Sequence, residues 1–416
     1  MRITKVARPL LALFGATMVS GVGSVWAQNG NWPQFRGPNR DLVSTETGLM
    51  KSWPADGPTL VWKATDLGKG FSTVSVAGGR IYTQGWKADK EYVLALDEAT
   101  GNVLWTAPIG GTVNVGYPGS RAIPTVDGAM LYTESVEGDV VCLAANTGKE
   151  VWRVSLPQDF QGGRGGWGYA ESPLVDGPAV ICTPGGSTAT LVKLDKLTGK
   201  VIWRGVVPEG DKAAYASPSA IVVGGVRQYV QLLSGGVVGI RAEDGKYMWR
   251  NNDSANGTAN CSSPIYMNGY LFSSTGYNKG GCLLQLTSQD GMTSAKLIYH
   301  TDDLQSHHGG FLNVGDYIYG SSARNFMCLE AKTGKVVWSD QVIGKGSVMY
   351  ADGHLYTRSE KGMVRLIEPT PDGGKCVGKL DQPEKSGDAK WPYPVVAGGR
   401  LYLRDQDNLF CYNVKG

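Results

Sequence analysis

Ala95-Leu96-Asp97-Glu98-Ala99-Thr100-Gly101-Asn102-Val103-Leu104-Trp105 decides the fold, because the chain repeats it. Leu194-Asp195-Lys196-Leu197-Thr198-Gly199-Lys200-Val201-Ile202-Trp203 is a second copy. Shorter copies run from Asn146-Thr147-Gly148 to Trp152, from Glu243-Asp244-Gly245 to Trp249 and from Lys332-Thr333-Gly334 to Trp338. The tryptophan always follows the glycine by four residues. Weaker copies end at Tyr299, after Asp290-Gly291, and near Val377, after Asp372-Gly373-Gly374; Trp62 in Leu60-Val61-Trp62-Lys63 matches the strand that closes a unit. Unit ends therefore fall at 62, 105, 152, 203, 249, 299, 338 and about 377. Self-similarity at a period of 40 to 50 residues marks a repeat architecture.

Each unit also opens with a second hairpin, as in Val76-Ala77-Gly78-Gly79-Arg80-Ile81-Tyr82, Val126-Asp127-Gly128-Ala129-Met130-Leu131-Tyr132 and Val396-Ala397-Gly398-Gly399-Arg400-Leu401-Tyr402. Asp-Gly and Gly-Gly supply the positive φ of tight hairpins, and the alternating apolar residues around them fit half-buried strands. Four antiparallel strands per unit, repeated radially, give a β-propeller, an architecture that protects its sheet edges. The fold class is all-β, an eight-bladed propeller. The last unit, from about 390 to 416, contains three strands, and pairing them with the strand around Trp62 closes the ring. The recurring tryptophan has a packing role, filling the wedge between neighbouring blades. The glycines of the Thr-Gly turns serve turn chemistry.

Composition agrees. There are 59 glycines in 416 residues, about twice the usual share, but ordinary proline and 42% hydrophobic residues, which exclude disorder, collagen and coiled coils. Met1 to Ala27 reads as a secretory signal: Arg2, Lys5 and Arg8, an apolar run from Leu10 to Val25, then Val25-Trp26-Ala27 as a cleavage site. Residues 28–57 form an extended N-terminal segment and 58–416 the propeller. Glycines and serines dilute the apolar run, and no later stretch is long enough to span a membrane. Lys+Arg 40 against Asp+Glu 37 becomes 37 against 37 once the three basic residues of the leader are removed. That balance argues against nucleic acid and anionic membrane surfaces as partners. Seven dispersed cysteines without CxxC or adjacent pairs exclude a disulfide scaffold, a zinc finger and a c-type haem site. Cys142, Cys282, Cys328 and Cys411 sit in apolar strands as small hydrophobes.

The A-L-D-x-x-T-G-x-x-x-W pattern resembles the tryptophan-docking repeat of pyrroloquinoline-quinone (PQQ) dehydrogenases and of the outer-membrane assembly factor BamB, both eight-bladed. Trp32-Pro33-Gln34-Phe35-Arg36-Gly37-Pro38 is similar to the start of exported PQQ-like propellers of planctomycete type. The chain departs from both relatives. Gln28, not the cysteine of a lipoprotein, follows the expected cleavage, and the adjacent cysteine pair of many alcohol-oxidising quinoproteins is missing.

Propeller ligands are expected where the residues preceding the innermost strands converge on the central channel. Those positions hold Lys69 to Ser72, Tyr117 to Arg121, Trp167 to Glu171, Tyr215, Asn260, His307-His308, Lys345 and Trp391. The glycine-rich stretch Gly162 to Glu171 delivers Trp167, Tyr169 and a carboxylate to the channel mouth. On the quinoprotein resemblance a planar quinone stacks on Trp167 or Trp391, with Tyr169 beside it, while Arg121, Lys69 or Lys345 meets its carboxylates. Glu171 and Asn260 would give oxygens to Ca²⁺, and His308 or Asp303 would act as general base toward an alcohol. A structural reading competes: Glu171 pairs with Arg121 or caps a blade junction. His307 and His308, being adjacent, would face opposite ways on a strand, so that they could not both bind one metal and at most one lines the channel. Two functions stay open: an exported scaffold of the cell envelope or periplasm that binds a protein or small ligand, and a PQQ- and Ca²⁺-dependent alcohol dehydrogenase.

Overall fold

The computed structural model describes residues 30–341, 343–370 and 373–416. The expected leader, Met1 to Ala27, lies outside them. The described residues form eight sheets of sequential antiparallel strands, at 75–111, 125–155, 174–205, 219–251, 265–301, 311–340, 346–381 and 395–413, numbered here as blades 1 to 8. Leu60–Ala64 completes blade 8 by pairing with Asn408–Asn413, which unites the two ends of the chain in one sheet as the repeat predicts. Cys142, Cys282, Cys328 and Cys411 are buried, and all seven cysteines are free thiols.

Outer strands carry a β-bulge at the residue before the recurring aromatic. Ladder pairing skips Leu104 between Val103 and Trp105, Ile202 between Val201 and Trp203, and Val337 between Val336 and Trp338. A bulge puts two consecutive side chains out of the normal alternation. Leu104 and Ile202 consequently stand about half exposed while Trp203 turns inward. The indoles of Trp62, Trp105, Trp152 and Trp203 then meet the glycine turn of the next blade. A Cβ on Gly101 would lie 2.6 Å from the ring of Trp62, and Gly148, Gly199 and Gly245 stand in the same relation to Trp105, Trp152 and Trp203. The ring N–H donates to a backbone carbonyl of that next blade: Trp62 to Glu98 at 3.1 Å, Trp105 to Ala145 at 3.1 Å, Trp152 to Lys196 at 2.9 Å and Trp203 to Ala242 at 3.2 Å. Tyr299 does the same with its hydroxyl, to Ala331 at 2.8 Å over Gly334. Packing therefore explains the recurring aromatic in full, and the glycine serves two needs, a positive φ and a flat seat for the indole.

Blade 7 departs from the expected register. Cys376 and Gly378 flank the bulge there, so Gly378, not Val377, occupies the tryptophan position. Trp53 of the N-terminal segment fills the space: a Cβ on Gly378 would sit 2.7 Å from its ring. The Trp53 backbone N–H donates to Val377 O at 3.1 Å, and the indole packs 5.9 Å from Tyr356, as Trp105 packs 6.0 Å from Tyr82.

Residues 30–57 are thus part of the ring. Trp32 bridges Val76 on the innermost strand of blade 1, and Val43–Ser44 runs parallel to Tyr350–Ala351 on that of blade 7. Between these anchors the chain reaches back along the channel. Arg36 donates to Ser263 O at 2.9 Å and Phe311 O at 2.6 Å, and Arg40 to Ser172 O at 2.6 Å, so two buried guanidinium groups tie blades 3, 5 and 6 to the plug. Burial lowers both arginines to about 10, which leaves them cationic at neutral pH. A serine ladder lines the same wall: Ile123 N–H donates to Ser172 Oγ, Ser172 N–H to Ser217 Oγ and Ser217 N–H to Ser263 Oγ, each at 2.9 Å.

Gly199→Ala places a Cβ 2.9 Å from the Trp152 indole at φ +71°, whereas Gly177→Ala, at φ +59°, meets nothing within 4 Å. Denaturant titration should show Gly177→Ala costing about 1 kcal/mol and Gly199→Ala clearly more, roughly 2–4 kcal/mol. Trp53→Ala should cost about 3–5 kcal/mol, the loss expected of a buried indole; a loss below 1 kcal/mol would show that the N-terminal segment does not brace blade 7.

Candidate functional site

In a blade whose first strand runs inward from one end of the channel, the loop before that strand and the turn between its second and third strands lie at the same end. All eight blades contribute to a cavity of about 210 Å³ there. Phe71, Tyr117, Trp167, Tyr215, Tyr277 and Trp391 form much of its wall, with Phe35 of the plug and Tyr393 beside it. Phe35 and Tyr393 meet edge to face at 6.0 Å. Two cations face the same space, Arg121 and Lys345. Arg121 is held by Gly119 O at 2.9 Å and Tyr117 O at 2.6 Å and lies over the Phe71 ring at 5.8 Å. Lys345 pairs with Glu360 at 2.8 Å.

Trp391 organises the far wall. Its ring is 4.5 Å from Phe71, 5.0 Å from Tyr117 and stacked 3.9 Å from His308, and its N–H donates to Glu360 Oε1 at 2.5 Å. His307 and His308 both line the cavity, with ring centroids 3.8 Å apart. That corrects the expectation that only one would. They lie in the loop before Phe311–Val314, not on a strand, so strand alternation does not apply. Burial, helped by the charge of Lys345, holds His307 down at about 4; burial, His307 and Lys345 push His308 well below the usual histidine value. Both imidazoles are neutral at pH 7. Cys261, also in the wall, is pushed up by burial to about 12 and is no nucleophile at that pH.

Arg121, Trp167, Lys345, Trp391 and His308 are therefore brought together; Tyr169, Glu171, Asn260 and Asp303 are not. Tyr169 is buried in the junction between blades 2 and 3, with its ring over Gly138 and its hydroxyl donating to Pro184 O at 3.0 Å. Asp303 is exposed in the loop after blade 5 and accepts from Thr301 Oγ1 at 3.3 Å. Of the oxygens expected to hold Ca²⁺, Asn260 Oδ1 and Glu171 Oε2 are committed elsewhere, and Glu171 Oε1 is buried away from the cavity without a hydrogen-bond partner. Asn260 Oδ1 accepts from Asn256 N–H at 2.9 Å while Nδ2 donates to Leu233 O at 3.0 Å and Ser234 O at 3.1 Å. Glu171 is 3% exposed, accepts from Gln231 Nε2 at 3.0 Å, and has Arg40, not Arg121, as its nearby opposite charge. These residues do not fit a calcium site at the cavity.

Glu171 belongs to a buried acidic row. Its N–H donates to Glu134 Oε1 at 3.1 Å, and Glu91 Oε2 accepts Val136 N–H at 2.7 Å. Burial raises all three carboxyls, and mutual repulsion adds to the rise at Glu134. The sequence reading missed Phe35, Tyr277, Glu360 and Tyr393. For Tyr277 and Glu360 a signal existed, since both lie in turns between second and third strands, which share the cavity end.

The family model described as outer membrane protein assembly factor BamB matches residues 26–108 and 89–340, most of the chain. The chain belongs to this family. Among curated relatives, a BamB from Nitrosomonas eutropha is 28% identical over 184 residues, 43% of this chain and 40% of that protein. A serine/threonine-protein kinase, AfsK of Streptomyces griseus, is 26% identical over 167 residues, 39% of this chain and 19% of that one. This BamB-type propeller thus spans less than half the length of either relative. Among solved structures, BamB from Moraxella catarrhalis superposes with a TM-score of 0.59 at 15% identity, covering 86% of this chain and 98% of that one. A quinohemoprotein alcohol dehydrogenase from Pseudomonas putida superposes at 0.63 and 12% identity, covering 93% and 80%. Both likenesses are of fold. Among the described residues of the BamB-type propeller, no helix is long and apolar enough to cross a membrane.

Burial lifts Glu91 from 4.5 to about 7. The folded state then binds the proton more tightly than the unfolded one, so the stability it contributes is full below pH 4.5 and is lost as pH rises toward 7. Glu91→Gln cannot ionise. Between pH 5 and 8, denaturant titration should show wild type losing roughly 2–3 kcal/mol relative to Glu91→Gln; a constant difference would mean that Glu91 is ionised throughout.

Proposed function

We propose that this BamB-type propeller is an exported binding module of the cell envelope whose channel-mouth cavity captures a small planar aromatic anion. One observation carries the reading: an aromatic-walled cavity with Arg121 and Lys345 facing it, closed on the plug side by Phe35 and Tyr393. Aromatic faces select a flat ring system through stacking, and two cations in a partly desolvated site select its negative groups. The cavity is smaller than the roughly 300–1,000 Å³ of drug-sized pockets, so a compact ring fits with its edge left in solvent. The leader read at Met1 to Ala27 supports export. BamB relatives carry the name of an assembly factor, which suggests a periplasmic protein partner. The cavity favours a small molecule as the primary ligand.

A second reading, PQQ-dependent alcohol oxidation, draws on the quinohemoprotein likeness and on the fit of Trp167, Trp391, Arg121 and Lys345 to a planar polycarboxylate. The binding reading is favoured because Glu171 and Asn260 are buried and neither lines the cavity. Asp303 stands outside the cavity wall, which leaves His308 as the base.

PQQ itself is a suitable probe, titrated against tryptophan fluorescence in chelator and again in Ca²⁺, with a dye-linked alcohol oxidation assay alongside. Saturable quenching that needs no Ca²⁺, weakens with salt and falls at least about tenfold in Arg121→Ala and Trp391→Ala, without turnover, is the expected result. Ca²⁺-dependent binding with alcohol turnover would establish the dehydrogenase instead. Absence of quenching by PQQ and by simpler aromatic carboxylates would remove the small-ligand reading.

A further inference from the structure

We propose that His307, His308 and Glu360 bind one divalent transition-metal ion of the zinc or cobalt type at the wall of the channel-mouth cavity. One ligand atom from each of the three residues lies within 4.8 Å of the other two, the spacing of groups around a single ion. Two imidazoles and one carboxylate suit first-row transition metals, whereas Ca²⁺ and Mg²⁺ want oxygen donors. Three protein ligands leave the remaining positions of a tetrahedral or five-coordinate ion open toward the cavity.

Two further observations point to a ligand. The Nδ1 atoms of both histidines are buried without a hydrogen-bond partner. A buried polar nitrogen left unpaired costs about 1–3 kcal/mol, and a metal ion bound through that nitrogen is one group that repays it. The carboxylate and one imidazole are also oriented from outside the triad. Trp391 donates to Glu360 Oε1 at 2.5 Å and stacks on His308, and Lys345 binds the same Oε1 at 2.8 Å, so Oε2 is left to the ion. Outer partners of this kind fix ligand geometry at metal sites.

The loop explains how adjacent histidines serve one ion. His307-His308-Gly309-Gly310 turns tightly against blade 7: a Cβ on Gly309 would lie 1.7 Å from Gly346 O, and Gly310 has φ +68°. No strand separates the two rings to opposite faces. Lys345 and Arg121 oppose a further positive charge, so the ion binds more tightly when an anion fills its open position, and the anion binds more tightly in return.

The test is run without any organic ligand, so that its outcome is separate from that of the small-ligand reading. Purified protein, stripped with chelator and dialysed, is titrated with Co²⁺ and followed by visible absorption and calorimetry, with Zn²⁺ as competitor and Ca²⁺ as control. One equivalent of Co²⁺ should give ligand-field bands that Zn²⁺ abolishes and Ca²⁺ does not. Affinity should fall at least about tenfold in each of His307→Ala, His308→Ala and Glu360→Gln. Circular dichroism reports folding, and Glu360→Gln, which keeps the shape and the Trp391 hydrogen bond, decides if a histidine variant fails to fold. No saturable Co²⁺ spectrum, or equal affinity in wild type and Glu360→Gln, overturns the assignment.

Discussion

The indole seated on a glycine of the next blade is the contact on which the ring depends. A single blade cannot bury both faces of its sheet, so the blades are stable only against one another. Trp62 on Gly101, Trp105 on Gly148, Trp152 on Gly199 and Trp203 on Gly245 join each pair twice, by a face on a flat seat and by an N–H on a carbonyl. The bulge before each aromatic turns it out of the ladder's alternation and aims it at the neighbour. Where the contact changes, another replaces it. Trp249 donates to Gln228 Oε1 at 2.7 Å, and Gln228 Nε2 reaches Thr293 of blade 5 at 2.9 Å.

The same constraint accounts for the N-terminal segment. Blade 7 lacks its own docking aromatic, and Trp53 supplies it from a distant part of the sequence. Once the chain runs from blade 1 to blade 7 before entering blade 8, it must pass the central channel, and Phe35 to Arg40 fill it. Filling a channel with two guanidinium groups is expensive unless each N–H finds an acceptor. Carbonyls at Ser172, Ser263 and Phe311 accept from three terminal nitrogens of Arg36 and Arg40, whereas Arg36 Nε and Arg40 Nε and Nη1 are buried without a partner, and the Glu171 carboxyl stands near Arg40. A carboxyl that reads in the sequence as a metal ligand is thereby placed in the buried polar wall behind the plug, away from the cavity.

Features set by local pattern were legible in the sequence, and features set by long-range placement were not. Thr-Gly turns and the four-residue offset to tryptophan are properties of one hairpin, so the blades, their number and the ring closure through Leu60–Ala64 could be read directly. Arg121, Trp167, Lys345 and Trp391 were found because topology places the loop before each innermost strand at the channel mouth. Tyr169, Glu171 and Asn260 occupy those same loops, yet side-chain direction there depends on contacts with other blades, which spacing does not report. Phe35 was invisible because a segment without repeat pattern carries no register. The Ser-Pro pairs at 172, 217 and 263 carried a readable signal, since each recurs just before an innermost strand and its hydroxyl caps the neighbouring chain.

A shared frame and a variable mouth explain why one fold accompanies different chemistries. Docking contacts lie among the outer strands and the Thr-Gly turns, at the end opposite the cavity, so loop residues there can change without loosening the ring. Some of the wall belongs to the frame, as Ser172 and Tyr393 do, but the polar groups at the mouth do not. His307 and His308 leave buried nitrogens unpaired, and Arg121 and Lys345 place two cations beside an aromatic wall. Structural need does not account for such a set, because apolar residues would fill the space at lower cost.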